Sequence, residues 1–241
     1  MSPTIKRIIP NIFTFTNMVC GFLSIVYATE GEFIIASWLI FFAALCDALD
    51  GVAARLTNSV SKFGVEIDSL ADVISFGLAP AFLAYSIHLN SLPIIGLGIS
   101  SLFLIAGGYR LARFNSNLVG NDKDFFYGLP IPSAALTLIA FIILFYNADR
   151  FDSTGQIILP YIVVALAILM VSKIKYETLP KPSLKSLKAE PIKFLLAFVA
   201  LIIVVITSGK GLFFVFTFYI LYGILRQLIE FVSGNSKTKP S

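Results

Sequence analysis

Four aspartates set in otherwise apolar sequence are the residues of this chain best suited to chemistry: Asp47 and Asp50, then Asp68 and Asp72. On a helix, Asp47, Asp50, Gly51 and Ala54 stand at i, i+3, i+4 and i+7 and share one face. Gly64, Asp68 and Asp72, at i, i+4 and i+8, make a second single-faced stripe. Eight residues separate Arg55 from Gly64, room for a helix end and a short turn, so two antiparallel helices can bring all four carboxylates to one place. Carboxylates gathered like this cannot all stay ionised without cations between them. Oxygen-only ligands at helical spacing suit Mg²⁺ or Mn²⁺, and a close pair of ions is an arrangement used for phosphoryl transfer. A solvated helix end or an ion pathway through a transport protein are the plainer readings, but scattered surface aspartates would not fall on two stripes.

The elements that must position these residues are membrane spans. Of the 241 residues, 57% are hydrophobic and only 13% are charged, and the mean hydropathy is +0.88. A soluble domain carries about a quarter charged residues, and the apolar runs here approach the ~20 residues that cross a bilayer. The expected fold is therefore all-α, a polytopic helical bundle with eight spans near 11–28, 33–56, 64–86, 92–112, 130–147, 157–172, 191–207 and 211–232. Pro10 and Asn11 should open the first span, uncleaved despite Lys6 and Arg7 before it, and Thr29 to Glu32 should form an acidic turn. With the N-terminus cytoplasmic, sixteen Lys and Arg fall inside and only Arg150 and Lys210 outside. That asymmetry predicts an even span number with both termini and the aspartates at the cytoplasmic face of the cell membrane. The net charge of +4 then concerns orientation, not nucleic acid.

One domain, 1–241, is expected, with a catalytic core over about 11–135, further spans over 136–232 and a basic tail over 233–241. Residues 173–190 read as the one linker-like segment, whose lysines suit either anionic headgroups or an ordinary basic loop. Cys20 and Cys46 lie in apolar helical sequence and read as packing residues rather than a disulfide. The lone histidine, His88, leaves no histidine-based metal site or triad.

Written as a pattern, D-x2-D-G-x2-A-R-x8-G-x3-D-x3-D resembles the signature of the CDP-alcohol phosphotransferase family at each of its eight fixed positions. The resemblance implies a metal site of Asp47, Asp50, Asp68 and Asp72 holding two Mg²⁺ or Mn²⁺ ions, with Asp72 as the general base. It implies that a cytidine diphosphate lies along Gly51 and Ala54, that Arg55 meets a phosphate, and that Asn17 lies near the nucleotide. It also implies a homodimer. Snorkelling for Arg55, and interhelical hydrogen bonding for Asn17, are the simpler readings of those side chains.

A second constellation concerns the acceptor. Arg110 and Arg113, i and i+3 at the end of the fourth span, could jointly hold an anionic group or simply anchor the span on its cytoplasmic side. The runs from Phe63 to Gly77, from Gly107 to Asn115 and from Tyr127 to Ser133 together resemble the membrane phosphatidylserine synthase branch of the family. That branch implies CDP-diacylglycerol and L-serine as substrates within membrane lipid, with Arg110 or Arg113 on the serine carboxylate and Asn115 and Glu66 on its other groups. Alternatives are the same chemistry on glycerol 3-phosphate or inositol phosphate, an intramembrane prenyltransferase, or a cation transporter. The transporter reading needs charges near the bilayer centre, whereas these cluster at span ends.

Overall fold

The computed structural model describes residues 3–56, 61–117, 125–147, 150–177, 206–207 and 209–232. Helix α1 (Pro3–Thr29) turns at Glu30–Glu32 into α2 (Phe33–Leu56), and these two helices pack along each other. The third span is continuous but not uniform: α3 (Lys62–Asp72), a π-helical turn (Val73–Leu78) and α4 (Ala79–Ile87). A short 3₁₀ turn (Leu89–Ser91) leads to α5 (Pro93–Asn117), followed by β1 (Phe125–Tyr127) and α6 (Ile131–Phe145). Strands β2 (Tyr146–Asn147) and β3 (Arg150–Phe151) precede α7 (Ser153–Val171), then come β4 (Lys175–Glu177) and α8 (Gly211–Val232).

Among the described residues, six helical segments are long and apolar enough to cross a membrane, and they coincide with the first, second, third, fourth, sixth and eighth expected spans. The chain is an integral membrane protein. The fifth expected span corresponds to α6, whose 15 residues reach about 22 Å, short of a ~30 Å hydrocarbon core. Most of α6 is buried among α2, α7, α8 and the π turn, including Leu138, Ile139 and Ile142. A helix apolar on every side belongs in the middle of a bundle, where its length need not match the lipid. Nearly all of the seventh expected span, 191–207, lies outside the described residues.

The first membrane span opens at Asn11, as expected, and the helix that carries it starts earlier, at Pro3. A proline at a first helical position loses no helix bond, and Pro10 removes one bond without ending the helix. The expected all-α bundle holds, and among the described residues two short antiparallel ribbons accompany the helices, β1 with β4 and β2 with β3. One expectation needs correction, since the segment read as a linker starts with structure: Lys175–Glu177 pairs with Phe125–Tyr127, and Tyr176 is buried against Gly223 of α8. Its remainder, 178–190, lies outside the described residues.

Candidate active site

Both aspartate stripes meet. Carboxylate oxygens of Asp47 and Asp50 on α2 and of Asp68 on α3 lie within 4.8 Å of one another. Asp50 is buried and the other two are half-buried. Asp72 is not in that three-carboxylate group; it is buried on the last turn of α3, with Asp47, Asp68, Asp50 and the Arg110 guanidinium as its electrostatic neighbours. Asp68 Oδ1 and Asp72 Oδ1 are both buried without a hydrogen-bond donor. A set of hard oxygen donors, close together, with acceptor atoms that no protein donor satisfies, fits a divalent cation such as Mg²⁺ or Mn²⁺. It does not fit a soft metal, for which thiolate or imidazole would be expected.

Local structure explains the start of the second stripe. Ser61 caps α3, its Oγ accepting a 3.0 Å bond from the Gly64 N–H. The wide π turn begins immediately after Asp72, so α3 and α4 form one span in which the carboxylates precede a change of helical pitch.

Helix α1 supplies Asn17, expected from the resemblance, and two residues that the sequence reading did not place at the site, Thr14 and Gly21. Thr14 Oγ1 donates to Asp50 Oδ2 at 3.0 Å. Ser75 Oγ, in the π turn, donates to the Asn17 carbonyl at 2.8 Å. This approach is close because Gly21 lies against Ser75, where a Cβ would collide with its Oγ. The Asn17 side chain has no exposed surface, and neither its Oδ1 nor its Nδ2 has a hydrogen-bond partner. Thr14, Asn17 and Gly21 stand at i, i+3 and i+7 and share one helix face, a signal that could have been read.

From α5, Arg110 is buried and lies over the Phe114 ring at 5.3 Å, with Asp72 among its electrostatic neighbours. Asn115 Nδ2 donates to Ser69 Oγ of α3 at 2.8 Å, tying the two helices together beside the stripe. Arg113 turns elsewhere, its terminal nitrogens bonding backbone carbonyls at the end of α7. Glu66 is exposed on α3 and is not in the group of carboxylates within 4.8 Å of one another. Gly51 sits half-buried on α2 beside Asp50; Ala54 and Arg55 occupy its last turns, with side chains outside the described set.

A family model for CDP-alcohol phosphatidyltransferases matches residues 7–171. The chain belongs to the CDP-alcohol phosphatidyltransferase family. Among similar proteins, a CDP-diacylglycerol–serine O-phosphatidyltransferase of Helicobacter pylori (strain ATCC 700392 / 26695) is 40% identical over 225 residues, 92% of each chain. One of the same name from Bacillus subtilis (strain 168) is 36% identical over 181 residues, 75% of this chain and 96% of that one. An archaetidylserine synthase of Methanothermobacter thermautotrophicus is 38% identical over 171 residues, 70% of this chain and 69% of that one.

In this CDP-alcohol phosphatidyltransferase, the three runs that resemble the serine branch are also neighbours in space. A Cβ on Gly107 would stand 2.6 Å from Ile131 Cδ1 and 3.9 Å from Gly77 Cα. A Cβ on Gly77 would meet the same Ile131 atom at 3.7 Å. The glycines let α5 and the π turn close on the start of α6.

Proposed function

We propose that this chain transfers the phosphatidyl group of CDP-diacylglycerol to the hydroxyl of L-serine, releasing CMP. The observation that carries the reading is the convergence of Asp47, Asp50 and Asp68 within 4.8 Å, with buried Asp72 and Arg110 beside them. The relatives named above differ in the lipid that their names specify, diacylglycerol or archaeal, but serine is common to them.

Asp47, Asp50, Asp68 and Asp72 are assigned to a pair of Mg²⁺ or Mn²⁺ ions, which when bound supply positive charge against the diphosphate and the leaving CMP. Gly51 and Ala54 leave room for the nucleotide along α2, Arg55 meets a phosphate with its planar fork, and the unsatisfied amide of Asn17 faces a polar group of the ligand. Arg110 holds the serine carboxylate, and Asn115 borders the same side from its bond to Ser69. Asp72 takes the proton from the serine hydroxyl as its oxygen attacks the lipid-bearing phosphorus; the new P–O bond replaces the one to CMP. Arg113 is left out of this assignment because it is engaged at the end of α7, and Glu66, exposed on α3, is given no role in it.

The reading includes an active site open to the cytoplasmic face of the cell membrane, a catalytic core within 11–135 and a homodimer. Purified protein, CDP-diacylglycerol and a panel of alcohols test the reaction: CMP should be released with serine and not with glycerol 3-phosphate or inositol phosphate. CMP release driven by a phosphorylated alcohol in place of serine overturns the acceptor while leaving the transferase chemistry. An impermeant thiol reagent tests the orientation: in sealed cells, a single cysteine replacing Ser183 should stay unlabelled.

A further inference from the structure

Arg113 stands three residues beyond Arg110 on α5, but its guanidinium serves another helix. Nη1 donates to the Val171 carbonyl at 2.8 Å. Nη2 approaches the Tyr127 carbonyl at 2.7 Å, that of Ser172 at 3.1 Å and that of Met170 at 3.3 Å. Val171 is the last residue of α7. Carbonyls in a final helical turn lack intrahelical partners, and a cation there also meets the negative end of the helix dipole.

The same junction constrains its neighbours. Gly128 has a φ of +81°, a conformation that favours glycine, and its N–H donates to the Ile174 carbonyl at 2.8 Å. A Cβ at Gly128 would collide with the Met170 carbonyl oxygen and stand 2.6 Å from Arg113 Nη2. Leu129 N–H donates to the Leu169 carbonyl at 3.0 Å, so the segment after β1 and the end of α7 are sewn together around one guanidinium.

We infer that Arg113 is a positioning residue and not an acceptor ligand: it pins the end of α5 to the end of α7, so that this helix turns one guanidinium, that of Arg110, toward the acceptor. The inference rests on the serine reading proposed above and sharpens its specificity. Two arginines acting together suit a phosphate dianion, whereas one forked cation matches the single charge of an amino-acid carboxylate. With its terminal nitrogens committed to carbonyls, Arg113 withdraws from that count.

Two substitutions reach the junction from opposite sides. Arg113→Lys keeps the charge and loses the fork, while Gly128→Ala disturbs the same contacts without touching a charge. Each should raise the serine KM roughly three- to tenfold, since small misplacements of a positioning group are costly, and leave the KM for CDP-diacylglycerol within about twofold. Each should also lower the melting midpoint, and the double variant should be no worse than the worse single one, because both break one junction. Arg113→Lys raising the serine KM with an unchanged melting midpoint, or fully additive effects, would make Arg113 a direct ligand and overturn the inference. A lowered midpoint with unchanged serine KM would overturn it too, leaving a purely structural residue. If Gly128→Ala does not fold, the paired KM and melting midpoint of Arg113→Lys decide alone. If the unmodified enzyme uses a different alcohol, the serine reading fails by that result, whereas the coupling of the two variants in melting still reports on the junction.

Discussion

The Thr14 hydroxyl donates to Asp50 Oδ2 at 3.0 Å, so the first helix takes hold of a carboxylate of the second. That bond orients Asp50 and occupies one lone pair of the oxygen, as the outer partners of metal ligands do. Thr14→Val removes the hydroxyl at nearly constant shape. We expect it to raise the Mg²⁺ or Mn²⁺ concentration for half-maximal CMP release by roughly tenfold, with turnover recovering at saturating metal. An unchanged metal titration would mean that the bond does nothing for ligation.

Removing the cation should be more drastic. The oxygens of Asp47, Asp50 and Asp68 lie within 4.8 Å of one another, and charges of one sign held that close need a counter-ion. Chelator should abolish CMP release, and added Mg²⁺ or Mn²⁺ should restore it. Asp47→Asn and Asp68→Asn should each cost more than the ~10–100-fold typical of losing an outer partner of a ligand. Cys46→Ser, one residue before Asp47 and buried, should keep turnover within about threefold, because a small buried thiol acts here as packing. Full activity in metal-stripped protein would remove the basis for the site.

Arg110 should read the acceptor and little else. A charge-assisted hydrogen bond contributes ~1.5–3 kcal/mol, which is roughly ten- to a hundredfold in affinity. Arg110→Lys keeps the charge but loses the fork, so the serine KM should rise by about tenfold or more, well beyond any change in the KM for CDP-diacylglycerol. Steady-state kinetics with each substrate varied in turn make the comparison, and equal changes in both constants would assign Arg110 to the diphosphate or to Asp72 alone.

Packing of α5 on the start of α6 offers a stability test. Gly107 has its would-be Cβ 2.6 Å from Ile131 Cδ1, and Ile131 is fully buried. Gly107→Ala should therefore cost ~1–3 kcal/mol by overpacking. Ile131→Val removes the offending methyl, so the double variant should recover most of the lost melting temperature. Two independent, additive losses would show that the helices do not meet at this point.

Much of the site was legible because helical periodicity is local. Asp47 and Asp50, and Asp68 and Asp72, share faces by spacing alone, whatever the helices later pack against. The apolar runs marked the spans for a similar reason, since length and hydropathy are properties of a segment. The two ribbons were not legible, because strands of two or three residues are too short to show a period of two. Nor was the burial of α6, whose sequence resembles that of a lipid-facing span; only its neighbours reveal that it sits inside.

The sequence by itself determined which residues carry charge, which share a helical face, and that those faces lie at span ends in a membrane protein. Tertiary structure alone decided the partners. Thr14 and Asp50 are 36 residues apart, and nothing local to either predicts that α1 rotates that hydroxyl onto that carboxylate. Arg110 and Arg113 look alike in sequence, both basic and at one helix end. Three residues along a helix leave them about 60° apart in direction, so one neighbours Asp72 and the other caps α7. Which of them stands beside the site depends on where α7 happens to end, a matter of packing between distant segments that no spacing rule contains.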